Sequence, residues 1–197
     1  MTRKEEEEVV AVTAEGAAAG TERRGAILTI SRQYGSGGRE IGQAVAAELG
    51  YRYVDRETLL AGLCADGPQW EQWAKSFDEH DPSIWERYDW SFRGFAALVQ
   101  RCIHEHALKG GVVIMGRGAN FALKGVPHAY RVRIEAPLEV RLERIVKREQ
   151  VDREAAKLLC ERTDHDRARF LHSIYGGNWD DPVEYDRRAG PAPDGRY

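Results

Sequence analysis

Residues 31–42 read SRQYGSGGREIG and follow directly on the apolar run AILTI at 26–30. Four glycines and an arginine thus stand between a short buried-strand pattern and the body of a helix. Glycine removes the Cβ atoms that would keep backbone N–H groups from converging on one point, and a following helix adds its positive dipole end. The stretch therefore predicts an anion site, with phosphate the natural guest. A tight strand-to-helix turn that binds nothing is the alternative for the loop taken alone.

Two phosphate-loop patterns compete here. A dinucleotide loop GxGxxG beginning at Gly35 requires glycine at position 40, where Glu40 stands, although Asp55 falls near the offset of a ribose-binding acid. A GxxxxGK[ST] loop ending on Gly37 begins at Arg32 rather than glycine. It puts Gly38 where the lysine belongs and Arg39 where the magnesium-binding hydroxyl belongs. Arg39 can supply the lost charge from one position further on, because a guanidinium grips phosphate oxygens bidentately.

Beyond the loop, GREIGQAVAAELG is a helix with Ile41, Val45 and Leu49 on one face, closed by Gly50. YRYV at 51–54 is a second strand, with Asp55 at its carboxyl end and a helix from Arg56 that Asp55 could equally cap. From Asp66 to Trp90 the chain is rich in tryptophan and acid and broken by Pro68 and Pro82, which suits a helical insertion packed by its aromatic rings. SFRGFAALVQRCIHEHALKG is a helix, and GVVIMG at 111–116 is the continuous apolar run of a parallel strand covered on both faces. AYRVRIEA is a further strand, after which Pro137 opens the helix LEVRLERIVKRE. A long helix follows over 152–176, with Asp152 as N-cap and Gly176 as stop. Strands alternating with helices predict a doubly wound α/β sheet whose ligands sit at the carboxyl ends of its strands. The glycine loop, Asp55 and GRGAN at 116–120 all emerge there, and Asn120 is also a candidate helix cap.

The 197 residues carry 42% hydrophobic and 31% charged side chains and a net charge of -3. That balance argues against a general nucleic-acid coat or a membrane-surface binder, so any basic site is local. Three widely spaced cysteines give neither a disulfide framework nor a CxxC zinc motif, which points to a reducing cytoplasm. VVAVTAEGAAAG follows EEEE and is interrupted by Glu15, so it is neither signal peptide nor membrane span. Residues 1–24 are expected to be a disordered extension, 25–186 one domain, and 187–197 a Pro/Gly-rich disordered tail. His104 and His106, two apart on a helix, point in different directions and make no metal pair.

Taken in order, ILTISRQYGSGGREIGQAVAAELGYRYVDRETL (27–59), VVIMGRGANFAL (112–123), RVRIEAPLEVRLERI (131–145) and ERTDHDRARF (161–170) resemble the cytidylate kinase-like family of nucleoside monophosphate kinases. The resemblance runs over about residues 27–186. It implies a three-layer P-loop-type fold with a parallel sheet, a helical nucleotide-binding insertion near 60–110 and a helical lid near 152–175. It implies ATP with Mg2+, the ATP phosphates held by Tyr34, Gly35, Ser36, Gly37, Gly38 and Arg39. It further implies a nucleoside monophosphate acceptor, CMP or dCMP, held by Asp55 and Arg117, with Arg162, Asp166 and Arg169 closing over the transferring group.

Arg162 and Arg169 are two helical turns apart with Asp166 between them, so one carboxylate can hold two guanidiniums. Spacing alone serves a solvated ion-paired face as well, and Arg141, Arg144 and Arg148 are as easily a wet surface as part of a donor site, the wet surface being favoured for most of them. Two departures accompany the resemblance. No lysine stands at position 38. Relatives also continue past Tyr185 and Asp186 with an apolar strand, whereas RRAGPAPDGRY cannot form a buried one. The sheet is thus left without a recognisable last strand, and its exposed edge invites a second copy of the chain. Phosphoryl transfer, a catalytically silent nucleotide-binding module and a phosphotransferase for another small molecule all remain open at this point.

Overall fold

Val112, Val113, Ile114 and Met115 are all buried and form strand β3 (Val112–Met115), as an uninterrupted apolar run between two helical layers must. The structure, a computed structural model, describes residues 25–64 and 90–189. Around β3 lie β1 (Ile27–Arg32), β2 (Arg52–Val54), β4 (Ala129–Ile134) and β5 (Arg187–Ala189). All pair in parallel, in the order β2-β3-β1-β4-β5. The described helices are α1 (Gly38–Leu49), α2 (Arg56–Cys64), α3 (Trp90–Leu108), α4 (Ala119–Ala122), α5 (Leu138–Glu149) and α6 (Arg153–Tyr175).

Alternation along the strands sorts the core into two faces. Val112 and Ile114 join Val54, Leu59, Phe95, Ile103, Phe170 and Leu171 on the side of α2, α3 and α6. Val113 and Met115 join Ile30, Ala46 and Ile134 beneath α1. A third cluster, Leu142, Ile145, Ala156 and Cys160, welds α5 to α6 and reaches Tyr34. The inward stripe of α1 is Gly38, Gly42 and Ala46, flanked by Ile41 and Val45, while Leu49 is 52% exposed and leaves the face expected of it. Its close approach to the sheet selects the small residues: a Cβ on Gly42 would meet the Met115 Cε at 2.6 Å.

The helix ends follow the sequence signals. Gly50 and Gly176 close α1 and α6 in the left-handed conformation, and the Asp152 side chain accepts a hydrogen bond from Ala155 N. Pro137 precedes the first turn of α5. Asn120 is not a cap; Gly118 precedes α4, and Asn120 is buried within it.

The missing last strand is corrected by β5. Its three residues are all exposed and polar or small, yet they pair with Val132–Ile134, and Glu135 N donates to Ala189 O at 2.8 Å. An edge strand needs backbone partners rather than apolar side chains, and here Arg131–Asp186 and Arg188–Glu135 ion pairs pin it. β5 thus takes over from β4 as the edge of the sheet. The 1–24 extension, the tryptophan-rich stretch 66–89 and the chain after 189 lie outside the described residues.

Between α6 and β5 the chain passes back under the sheet. Arg133, 1% exposed, donates to Asp180 at 2.7 Å and Glu135 at 2.9 Å, and its guanidinium lies 4.1 Å from the centre of the Trp179 ring. Trp179 in turn donates from Nε1 to the Ser31 Oγ at 2.7 Å. The connection leaving β1 crosses β3 towards β2, whereas the one leaving β4 runs to β5. A crevice opens at the carboxyl ends of β1, β2 and β3, where Arg32, Asp55 and Arg117 emerge.

Candidate active site

The glycine loop sits at that crevice. Gln33 N donates to Ile134 O, Gly35 and Gly37 take φ 78° and 83°, and the fully buried Ser36 donates from Oγ to Gln33 O at 2.8 Å. Neighbouring helices hold it from outside. Tyr34 N donates to Asp164 of α6 at 2.7 Å, and Arg141 of α5 donates both to that carboxylate at 2.5 Å and to Tyr34 O at 3.1 Å. Arg144 donates to Gly35 O at 3.4 Å, and the Arg148 guanidinium lies 4.9 Å from the centre of the Tyr34 ring. Arg141 and Arg144 thus grip the loop instead of forming a wet face, while Arg148, half exposed, lays its guanidinium over the Tyr34 ring. The loop runs directly into the start of α1, a twelve-residue helix that begins at Gly38 with no side-chain cap.

A cleft of about 500 Å³ opens beside the loop. Its walls carry Arg32, Arg39, Arg56, Arg117, Arg162 and Arg167 against Asp55, Glu57 and Asp166. A second groove of about 450 Å³ follows the loop itself, from Gln33 to Glu40, with Arg148 and Arg167. Asp55 performs both tasks proposed for it. One oxygen accepts from Thr58 N and Oγ1 and caps α2, while the other lies 3.4 Å from Arg39. Burial raises its pKa, but the Thr58 hydrogen bonds, Glu57 and the Arg39 charge outweigh that and leave the carboxyl below its ordinary value. Burial also raises the Tyr53 phenol, seconded by the Asp55 charge, and its buried hydroxyl finds no hydrogen-bond partner among the described residues.

Arg117 is 4% exposed and holds φ 57°, an uncommon backbone for a residue with a side chain. Its carbonyl accepts from Tyr175 OH at 3.3 Å, and burial pushes that phenol above its ordinary value. The Tyr175 ring stacks on Phe121 of α4, so α6 fixes the turn after β3 from behind.

Of the three α6 residues singled out from sequence, the structure brings two to the cleft. Arg162, its side chain 82% exposed, lies 3.8 Å from Asp166. Arg169 is exposed and is not part of the cleft wall among the described residues. The residue missed is Arg167. Its side chain is 11% exposed, donates to Arg32 O at 3.1 Å and lines both cleft and groove. A signal existed: Arg167 precedes the buried pair Phe170 and Leu171 by three and four residues, and so shares their inward face. His106 receives Arg52 at both its ring and its carbonyl, and no cluster of three metal-ligating side chains occurs among the described residues.

Residues 27–187 match the sequence model of the cytidylate kinase-like family. The chain belongs to that family. It is 30% identical over 162 residues to the cytidylate kinase of Pyrococcus horikoshii, covering 81% of this chain and 77% of that enzyme. The cytidylate kinase of Methanocaldococcus jannaschii is 30% identical over 164 residues, 81% of this chain and 85% of its own length. Among solved structures, an uncharacterized protein from Eubacterium ventriosum superposes with TM-score 0.64 at 21% identity, covering 83% of this chain and 86% of that one. Shikimate kinase from Bacteroides thetaiotaomicron does so at 0.51 and 17%, covering 84% and 85%. These likenesses are of fold, that of the P-loop kinases. Within that fold, the glycine loop and the arginine-lined cleft lie at the carboxyl ends of β1, β2 and β3. No helix among the described residues is long and apolar enough to cross a membrane.

Proposed function

We propose that this protein transfers the γ-phosphoryl group of ATP to a nucleoside monophosphate, CMP or dCMP, a reading supported by 30%-identical relatives named cytidylate kinase. The observation that carries the reading is the convergence of six arginines from five places in the chain on one cleft beside the glycine loop, in a protein of net charge -3. Phosphoryl transfer asks chiefly for positioning and charge neutralisation, which such a set supplies.

In this reading the amides of Gly35 to Arg39 and the first turn of α1 hold the ATP phosphates. Arg162 and Arg167 reach over the transferring group from α6, the lid. Arg117 and Arg56 take the acceptor phosphate, and Asp55 and Tyr53 face the acceptor nucleoside. An acceptor phosphate oxygen forms the new bond to the γ-phosphorus while the bond to the β,γ-bridging oxygen breaks, its electron pair leaving on ADP. Since a phosphate monoester loses its second proton near pH 6, the attacking oxygen is already bare at neutral pH and needs no base. Magnesium keeps most of its waters and takes one or two carboxylates beside phosphate oxygens. Asp166, at the cleft wall, suits it, and the ion would spread the charge shared between donor and acceptor.

The test is ADP release measured with CMP, dCMP, UMP, AMP and GMP in turn. Release that depends on a pyrimidine monophosphate is expected, and none with any acceptor would refute transfer to nucleotides. Gly38 at the lysine position favours one second reading, a nucleotide-binding module without turnover. That module would be stabilised thermally by ATP while releasing no ADP.

A further inference from the structure

The loop carries an arginine and a glycine at the two positions where the GxxxxGK pattern carries a glycine and a lysine. In GxxxxGK the first residue is glycine and the residue after the last glycine is lysine. Here position 32 is Arg and position 38 is Gly. The structure shows why the two substitutions belong together. A Cβ built on Gly38 would stand 2.6 Å from the Arg32 Cβ and 3.0 Å from its Cγ. The two positions face each other across the base of the loop, with room for one side chain. Arg32 sends its side chain from the last residue of β1 through the space from which a residue at 38 would start. It then lines the cleft, the glycine-loop groove and the small hollow beneath Gly116 and Arg117. Arg167 donates to the Arg32 carbonyl, which places a second guanidinium alongside. Arg39 is placed otherwise: its side chain is 60% exposed and turns towards Asp55 at 3.4 Å and Glu57 at 3.9 Å, on the far side of the cleft from the loop's base.

We propose that Arg32 is the relocated phosphate-gripping cation of this loop, reaching the transferring phosphoryl group from the strand side in place of a lysine on the helix side. The proposal rests on the kinase reading above and identifies which residue supplies the charge at its centre. A guanidinium there offers two parallel donors to phosphate oxygens where a lysine offers a point charge.

Arg32→Met keeps the stem and removes the charge. ATP affinity is measured by calorimetry, and turnover with the best acceptor, alongside a thermal melt. The variant should bind ATP about 10- to 100-fold more weakly and turn over roughly 10²- to 10³-fold more slowly. Arg32→Lys should stay within about tenfold of the parent in affinity, and it decides the matter if the Met variant melts below the assay temperature. The decisive variant is the exchange itself: Gly38→Lys alone should be destabilised by the crowding at Arg32. Combined with Arg32→Gly it should fold and regain ATP affinity to within roughly tenfold of the parent. A parent protein that binds no ATP overturns the kinase reading and this assignment together. A parent that binds ATP, with Arg32→Met equal to it or with the exchanged pair no better than Arg32→Gly alone, overturns only the assignment.

Discussion

Replacing Asp164 by alanine should cost the fold about 3 kcal/mol, and the figure can be worked from its contacts. Its carboxylate accepts from Tyr34 N at 2.7 Å and from Arg141 Nη1 at 2.5 Å, with Arg167 3.8 Å away. Hydrogen bonds to a charged group are worth about 1.5–3 kcal/mol each, but the two share one carboxylate and do not simply add. Breaking a fully buried ion pair costs about 3–5 kcal/mol, and these side chains, 11% and 17% exposed, fall just short of that limit. For a domain of this size about 3 kcal/mol lowers the melting temperature by roughly 6–12 °C, readable by calorimetry and by urea titration. Asp164→Asn retains an acceptor for Tyr34 N and should lose about half as much. Adding Arg141→Met to Asp164→Ala should recover part of the loss, since the stranded guanidinium is gone. A shift under about 1 °C for Asp164→Ala, or a double variant no more stable than the single, would show that the contact does not hold the loop.

Gly38→Ala should destabilise by about 1–3 kcal/mol through the crowding at Arg32, despite alanine's better helix propensity; a more stable variant in urea titration would contradict that packing. Asp55→Asn tests the lowered carboxyl. Because the folded value lies below the ordinary 3.8, the group stabilises the protein above the carboxylate range and loses that contribution as pH falls through the folded value. The stability gap between parent and variant should therefore be constant above about pH 5 and close in more acid solution, and a gap unchanged down to the acid limb would refute the linkage. Arg167→Ala should weaken ATP binding more than Arg169→Ala does, as followed by calorimetry, and the reverse order would restore the residue chosen from spacing.

The buried elements were legible because burial leaves a mark in composition. VVIM between glycines reads as a covered strand, and Asp152 opens a helix while Gly50 and Gly176 close theirs for local reasons that need no tertiary information. What escaped depended on partners distant in sequence. The arginines of α5 recur at helical spacing, and such a stripe looks the same whether it meets water or another loop; Tyr34 decides, and it lies 107 residues from Arg141. The strand β5 escaped because an exposed edge is defined by backbone pairing, for which RRA carries no apolar sign. At α6 the ion-pair spacing of Arg162, Asp166 and Arg169 drew attention away from Arg167, whose inward phase was written in Phe170 and Leu171. Arg32 was noticed as a glycine lost, and the contact with Gly38 that gives the loss a meaning exists only in three dimensions.

Trp179 seats Ser31 across 148 positions of chain. At roughly 5–20 residues per second of translation, the first strand leaves the ribosome about 7–30 s before the indole that fastens it. Through that interval Arg141 and Asp164 can already hold the loop, but Ser31 behind it lacks its indole, and a nascent chain halted just after Arg169 would carry every cleft arginine while lacking that floor. Loss of the chain after Arg169 would therefore loosen the cleft from behind without deleting any of the six arginines that line it.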